Sequence, residues 1–148
     1  MSLFMDALNV EQGIARIFEL VGCVTSKPVI VGIYGHKHAG KTYLSKRCLE
    51  ESLSRGLKAI GGRVELPQSY SSLSYPNPDV CFVDDYIIPL RNDSVKHVGK
   101  PIDITVLIRN YVICVAEDLR DIEWYIKQRY YDLIIDNPNS VRKFLLNE

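Results

Sequence analysis

Residues 28–51 read P-V-I-V-G-I-Y-G-H-K-H-A-G-K-T-Y-L-S-K-R-C-L-E-E, and this stretch decides the fold. Pro28–Tyr34 is a continuous apolar run, the composition of a strand buried on both faces in the middle of a parallel sheet. Residues 35–42, G-H-K-H-A-G-K-T, satisfy the phosphate-loop pattern G-x-x-x-x-G-K-[ST] in full. Average composition makes a chance match in a chain this long a roughly half-percent event. The match also follows a strand and opens a helix, the context the pattern requires. That helix is expected from about Lys41 to Arg55, stopping at Gly56.

Each position in the loop has a physical reason. Gly35 and Gly40 permit backbone angles that a Cβ resists. Successive N–H groups then face one concavity suited to phosphate oxygens, and the helix beginning at Lys41 adds its positive end. Lys41 is expected on the β- and γ-phosphates of a nucleoside triphosphate, and the Thr42 hydroxyl on Mg²⁺. The nucleotide-contacting set is Gly35, His36, Lys37, His38, Ala39, Gly40, Lys41, Thr42 and Tyr43. His36, Lys37 and His38 make the loop bulkier and more cationic than a Gly/Ser-rich one. Lys37 either strengthens phosphate binding or points into water, and the histidines are candidates for titration near neutral pH.

Downstream, D-V-C-F-V-D-D at 79–85 is four apolar residues followed by acids, the Walker B shape. A carboxylate there lies beside the loop in a parallel sheet and holds Mg²⁺ through water. Asp84 is the expected magnesium acid. Asp85 is either a base toward an acceptor or a strand-end turn residue.

Around these motifs the pattern alternates. Leu3, Ala7, Leu8, Ile14, Ile17, Phe18 and Val21 recur at helical spacing, predicting a leading helix over 3–21 with Gly22 as its C-cap. Arg63–Leu66 reads as a short strand, 67–79 and 89–101 as loops, and Val80–Val83 as a buried strand. Ile102–Ile108 and Tyr111–Ala116 are apolar and β-branched, with at least one a strand. Glu117–Tyr131 reads as a helix, Leu133–Ile135 as a strand and Ser140–Leu146 as a closing helix. Strands alternating with helices imply an α/β fold with a mostly parallel sheet, whose ligands sit at the carboxyl ends of the strands.

Composition agrees with one compact domain over 1–148, its core at 28–146. The chain has 148 residues, 47% apolar and 24% charged, with formal net charge +0, so no overall basic field invites nucleic acid or anionic lipid. No apolar stretch approaches the roughly 18–20 residues that span a bilayer. The N-terminus carries Asp6 and Glu11 where a secretory leader would be basic and then apolar. The cysteines at 23, 48, 81 and 114 lack C-x-x-C or zinc-ligand spacing and read as free thiols of a reducing, cytoplasmic compartment.

With both motifs placed, the chain resembles the P-loop NTPases, especially the uridine kinase-like nucleoside and nucleotide kinases. Residues 28–51 carry the resemblance most clearly. V-I-C-V-A-E-D-L-R-D-I-E-W-Y-I-K-Q-R at 112–129 is similar to their late strand and lid helix, and Y-D-L-I-I-D-N at 131–137 to their last core strand. The resemblance implies a three-layer α/β/α fold, ATP and Mg²⁺ as cofactors, and a small, nucleoside-like acceptor. It places Lys41, Thr42 and Asp84 on ATP-Mg²⁺ and Arg120, Lys127 or Arg129 on the transferring phosphoryl. On a continuous helix Arg120, Trp124, Lys127 and Tyr131 share one face, which is either a nucleotide-facing stripe or a solvated one. Where such kinases carry an acceptor's Asp after the second strand, this chain reads R-V-E-L-P-Q-S-Y, with only Glu65 as a carboxylate. The function implied is an ATP-dependent kinase, with a catalytically weak nucleotide-binding switch or assembly module as the alternative. The loop is also similar to those of translational GTPases, but neither D-x-x-G nor N-K-x-D occurs.

Overall fold

The structure is a computed structural model and describes residues 7–63, 78–85, 101–110 and 114–138. Among them the elements run α1 (Val10–Cys23), β1 (Val29–Tyr34), α2 (Lys41–Ser54), β2 (Ala59–Arg63), β3 (Val80–Asp85), β4 (Ile104–Arg109), α3 (Ala116–Lys127) and β5 (Leu133–Asp136).

All six residues of β1 are buried, as the unbroken apolar run requires. The sheet order is β2-β3-β1-β4-β5, with every described pairing parallel. Alternation along the strands divides the core in two. Val29, Val31 and Ile33, with Phe82, Val106 and Ile108, meet Ile14, Ile17 and Phe18 of α1 and Leu44 and Cys48 of α2. On the other face Ile30, Tyr34, Cys81, Val83 and Leu107 meet Ile122 of α3 and Tyr131. Each fully buried Ile or Leu in these layers contributes about 1.5–3 kcal/mol. The result is the expected α/β/α sandwich.

The chain leaves β1 through α2 toward β2 on one side, and leaves β4 through α3 toward β5 on the other. The carboxyl ends of β1 and β4 therefore part from each other, which makes this the sheet's topological switch point, the place where such folds hold ligands.

Several boundaries differ from the sequence reading. α1 starts at Val10, because Asn9 caps it. Asn9 accepts from the Gln12 N–H at 2.8 Å, and the Gln12 side chain accepts from the Asn9 N–H at 3.0 Å. Leu8 instead pairs with β5: its N–H donates to Ile134 O at 2.9 Å and its carbonyl accepts from Asp136 N at 2.8 Å, covering that edge of the sheet. β2 is Ala59–Arg63, preceding the expected Arg63–Leu66, and is fixed by its pairing with Val80–Asp84 of β3. α3 ends at Lys127, because Arg129 turns left-handed at φ 57. Tyr131 is thereby buried at the head of β5, its ring 6.5 Å from that of Tyr34. Ala116, expected to end a strand, begins α3. The expected closing helix 140–146, residues 111–113 and most of the two predicted loops lie outside the described residues. The four cysteines are free, as read.

Candidate functional site

The loop after β1 runs flush against β4. A Cβ on Gly35 would strike the Ile108 carbonyl oxygen and meet Ala39 Cβ and Ile108 Cγ2, each at 3.3 Å, so only glycine passes here. The loop then turns: Ala39 N donates to His36 O at 3.1 Å, His38 has φ 67 and Gly40 φ 108. Gly40 begins α2 through its backbone, accepting from Leu44 N at 2.9 Å.

The start of α2 contrasts with the other two helices. No side chain caps it, and its first turn carries no acid. α1 has a full capping box, while α3 has Glu117 and Asp118 in its first turn. The positive end of α2 is thus left facing the loop. Lys41 bends back across that mouth, and its Nζ donates to Gly35 O at 2.7 Å. Lys37, His38, Thr42 and Tyr43 are exposed. Tyr43 is held by Arg47, whose Nη1 donates to its hydroxyl at 3.2 Å while pairing with Glu11.

His36 is buried, with 1% of its surface exposed. Its Nε2 accepts from the Asn110 N–H at 2.9 Å, just past β4. Nε2 therefore carries no proton, so the hydrogen sits on Nδ1 and donates to Lys37 O at 2.9 Å. Burial holds the imidazole below the usual histidine range, with Lys41 and His38 acting in the same direction and the Lys37 carbonyl and Asp118 opposing. Beneath the loop, Asn137 Nδ2 donates to Ala39 O at 3.1 Å and Asn110 Nδ2 donates to Asn137 O at 2.9 Å. Sequence reasoning passed over Asn110 and Asn137. The available signal was their place as the first polar residues after the buried strands β4 and β5.

Asp84 ends its apolar strand next to β1, in register with Ile33, and is half-buried. Alternation from Val80 and Phe82 puts it on the face covered by α1 and α2, the face from which Thr42 opens α2. Asp85 is paired in register with Tyr34. Arg120 is exposed on the second turn of α3, the end that starts near the loop edge. Arg129 lies at the other end. Thr105, near the start of β4, donates through Oγ1 to Tyr130 O at 2.7 Å and accepts at its carbonyl from Asp132 N at 2.8 Å. At 1.5 Å per residue, the helix end at Lys127 is roughly 17 Å from Ala116, and Arg129 lies just past that end. Neither it nor Lys127, in the last turn, is brought to the loop. The expected stripe of Arg120, Trp124, Lys127 and Tyr131 does not form either, since Tyr131 is buried. Trp124 and Tyr130 stack instead, with centroids 6.3 Å apart, and Tyr125 meets both edge-on.

Thr42 and Asp84 offer a hydroxyl and a carboxylate, hard oxygen donors suited to Mg²⁺. That ion characteristically takes one or two protein ligands and completes its shell with water and phosphate. Among the described residues no group of three or more His, Cys, Asp or Glu side chains forms a cage for a metal. No helix among them is long and apolar enough to cross a membrane.

No family model and no curated protein matches this sequence. Among solved structures, the chain is similar to a possible uridine kinase from Bacillus stearothermophilus, at 12% identity with a TM-score of 0.56 over 86% of this chain and 99% of that one. It is similar to the kinase domain of the Escherichia coli tyrosine kinase ETK at 14% identity and TM-score 0.56, over 86% and 74%. The signal recognition particle receptor FtsY from Elizabethkingia anophelis gives 13% and 0.55, over 86% of this chain and 57% of its own. What these proteins share with the chain is arrangement rather than sequence, and by that arrangement the chain has the three-layer α/β/α fold of the P-loop NTPases.

Proposed function

We propose that the loop at 35–42 binds the phosphates of ATP with Mg²⁺, and that the protein is a kinase-like phosphotransferase acting on a small, nucleoside-like acceptor. The observation that carries the reading is the start of α2, which has neither a capping side chain nor an acid and is spanned by the Lys41 ammonium. A triphosphate would take the place of Gly35 O on Lys41, giving the ammonium an anionic acceptor. Charge-assisted bonds of this kind contribute about 1.5–3 kcal/mol each. Thr42 and Asp84 would hold Mg²⁺, Asp84 directly or through water. The ion would neutralise charge on the β- and γ-oxygens as the phosphoryl group moves. Arg120 is the lid cation retained in this reading, and Asp85 the candidate base. The neighbour named as a possible uridine kinase gives the acceptor class its weight.

A second reading, a nucleotide-binding switch or assembly module with little transferase activity, draws on one specific observation. Of the three expected lid cations, only Arg120 sits toward the loop edge.

Transfer of labelled γ-phosphate from ATP-Mg²⁺ to a panel of nucleosides separates the two. Transfer by the wild type that Asp84→Asn abolishes supports the kinase. Magnesium-dependent ATP binding without transfer across the panel favours the module. Equal magnesium dependence in wild type and Asp84→Asn would remove Asp84 from the metal site.

A further inference from the structure

We propose that His36, as the neutral Nδ1–H tautomer, acts with Asn110 and Asn137 as a positioning strut that presets the N–H groups of the phosphate loop. This deepens the nucleotide-binding reading above and rests on it.

The argument starts from the peptide plane. In a trans peptide the C=O and the following N–H point in opposite directions. Ala39 O is drawn beneath the loop by Asn137 Nδ2, so the Gly40 N–H of the same plane is turned the other way. Lys37 O is held by His36 Nδ1–H, which likewise fixes the direction of the His38 N–H. Two donors of the anion cradle are thus set by side-chain bonds to the carbonyls behind them. The strut is anchored in the sheet. His36 Nε2 takes the Asn110 N–H, Asn110 Nδ2 donates to Asn137 O, and Asn137 N donates to Arg109 O at 3.0 Å. It also fits without slack, since a Cβ on Gly40 would strike Asn137 Nδ2. A bulky histidine where a loop of this kind tolerates small residues is thereby explained. Its ring fills the space between loop and β4, and both nitrogens are engaged inside the protein, so neither is offered to the ligand.

Protonation removes the acceptor. An imidazolium would set an Nε2–H against the Asn110 N–H. The titratable groups facing the ring are Lys41 and His38 from the loop and α2, and Asp118 from α3. Burial outweighs Asp118 and lowers the folded-state value below the ordinary one of about 6.5. The strut's contribution is therefore fully present above about pH 6.5 and is lost as pH falls through the lower folded-state value.

The test is ATP-Mg²⁺ affinity from pH 8 to pH 5 in wild type, His36→Gln, His36→Leu and Lys41→Ala, each melted first to confirm folding. Gln places an acceptor near the Nε2 position and does not titrate; Leu fills space and accepts nothing. The titration of ATP itself is common to all and cancels in ratios. His36→Leu is expected to bind about tenfold more weakly than wild type at pH 8, and His36→Gln to recover most of that loss. The wild-type to Gln ratio should be largest above about pH 6.5 and fall as pH drops further. Superimposable profiles for wild type, Gln and Leu would overturn the strut while leaving the nucleotide site intact. Wild-type affinity no better than Lys41→Ala at any pH would overturn the nucleotide site, and the strut with it.

Discussion

Replacing Gly40 by alanine strains the loop in two separable ways. At φ 108 the backbone lies where L residues are rarely found, at a cost of about 1–3 kcal/mol. The added methyl also strikes Asn137 Nδ2, breaking its bond to Ala39 O, a further loss of about 1 kcal/mol. The sum is about 2–4 kcal/mol. For a chain of 148 residues this lowers the melting temperature by about 6–12 °C. Two other glycines serve as controls. Gly56 has φ 76 with nothing within 4 Å of a Cβ, so Gly56→Ala isolates backbone strain, about 1–2 kcal/mol. Gly22 lies in α1, also with open space around it, so Gly22→Ala should stabilise by about 0.5–1 kcal/mol. Calorimetric melts of the three variants at pH 7.5 should rank Gly22→Ala above wild type, then Gly56→Ala, then Gly40→Ala. A Gly40→Ala variant melting at or above Gly56→Ala would refute the contact with Asn137 as a determinant of the loop.

Asn9→Ala should cost about 1 kcal/mol in chemical denaturation, because it removes the α1 capping box; no change would mean the cap is frayed in solution. Phe18→Ala should cost about 3–5 kcal/mol, since the ring is 5% exposed, packs at 6.2 Å from that of Phe82 and lies under Arg55. A loss under 1 kcal/mol would contradict the packing of α1 on the sheet. Arg129→Gly should stabilise by about 0.5–1 kcal/mol, because it relieves φ 57 just past α3. It should also leave ATP affinity unchanged, and a large loss of affinity would restore Arg129 to the phosphate site.

What the sequence disclosed follows the range of the interactions involved. β1, the loop and α2 are contiguous, and their signals are local: an apolar run, two glycines and a helix start. β3 and β5 were legible for the same reason, as short apolar runs ended by Asp84 and Asp136. β2 was misplaced because A-I-G-G-R has little strand propensity of its own and is held by pairing to β3. The end of α3 was extended to Tyr131 because helical periodicity continues through a residue that turns left-handed. The same extension put Tyr131 on an exposed helix face, whereas it is buried at the head of β5. The strut was hidden for another reason: His36 and Asn110 are 74 residues apart, and Ala39 and Asn137 are 98. No local pattern joins them, and a buried histidine in a phosphate loop looks from sequence like a cation.

The central claim is that residues 35–42 hold a magnesium-bound triphosphate, and the most direct test is thermal stability with and without ATP-Mg²⁺ in wild type and Lys41→Ala. At about 100 times Kd, ligand should add about 2.7 kcal/mol to the wild type, a rise of about 8 °C. Lys41→Ala, which also loses the bond to Gly35 O, should show no rise with ATP-Mg²⁺ over its own unliganded melting temperature. No shift in the wild type, or an equal shift in Lys41→Ala, would contradict the account.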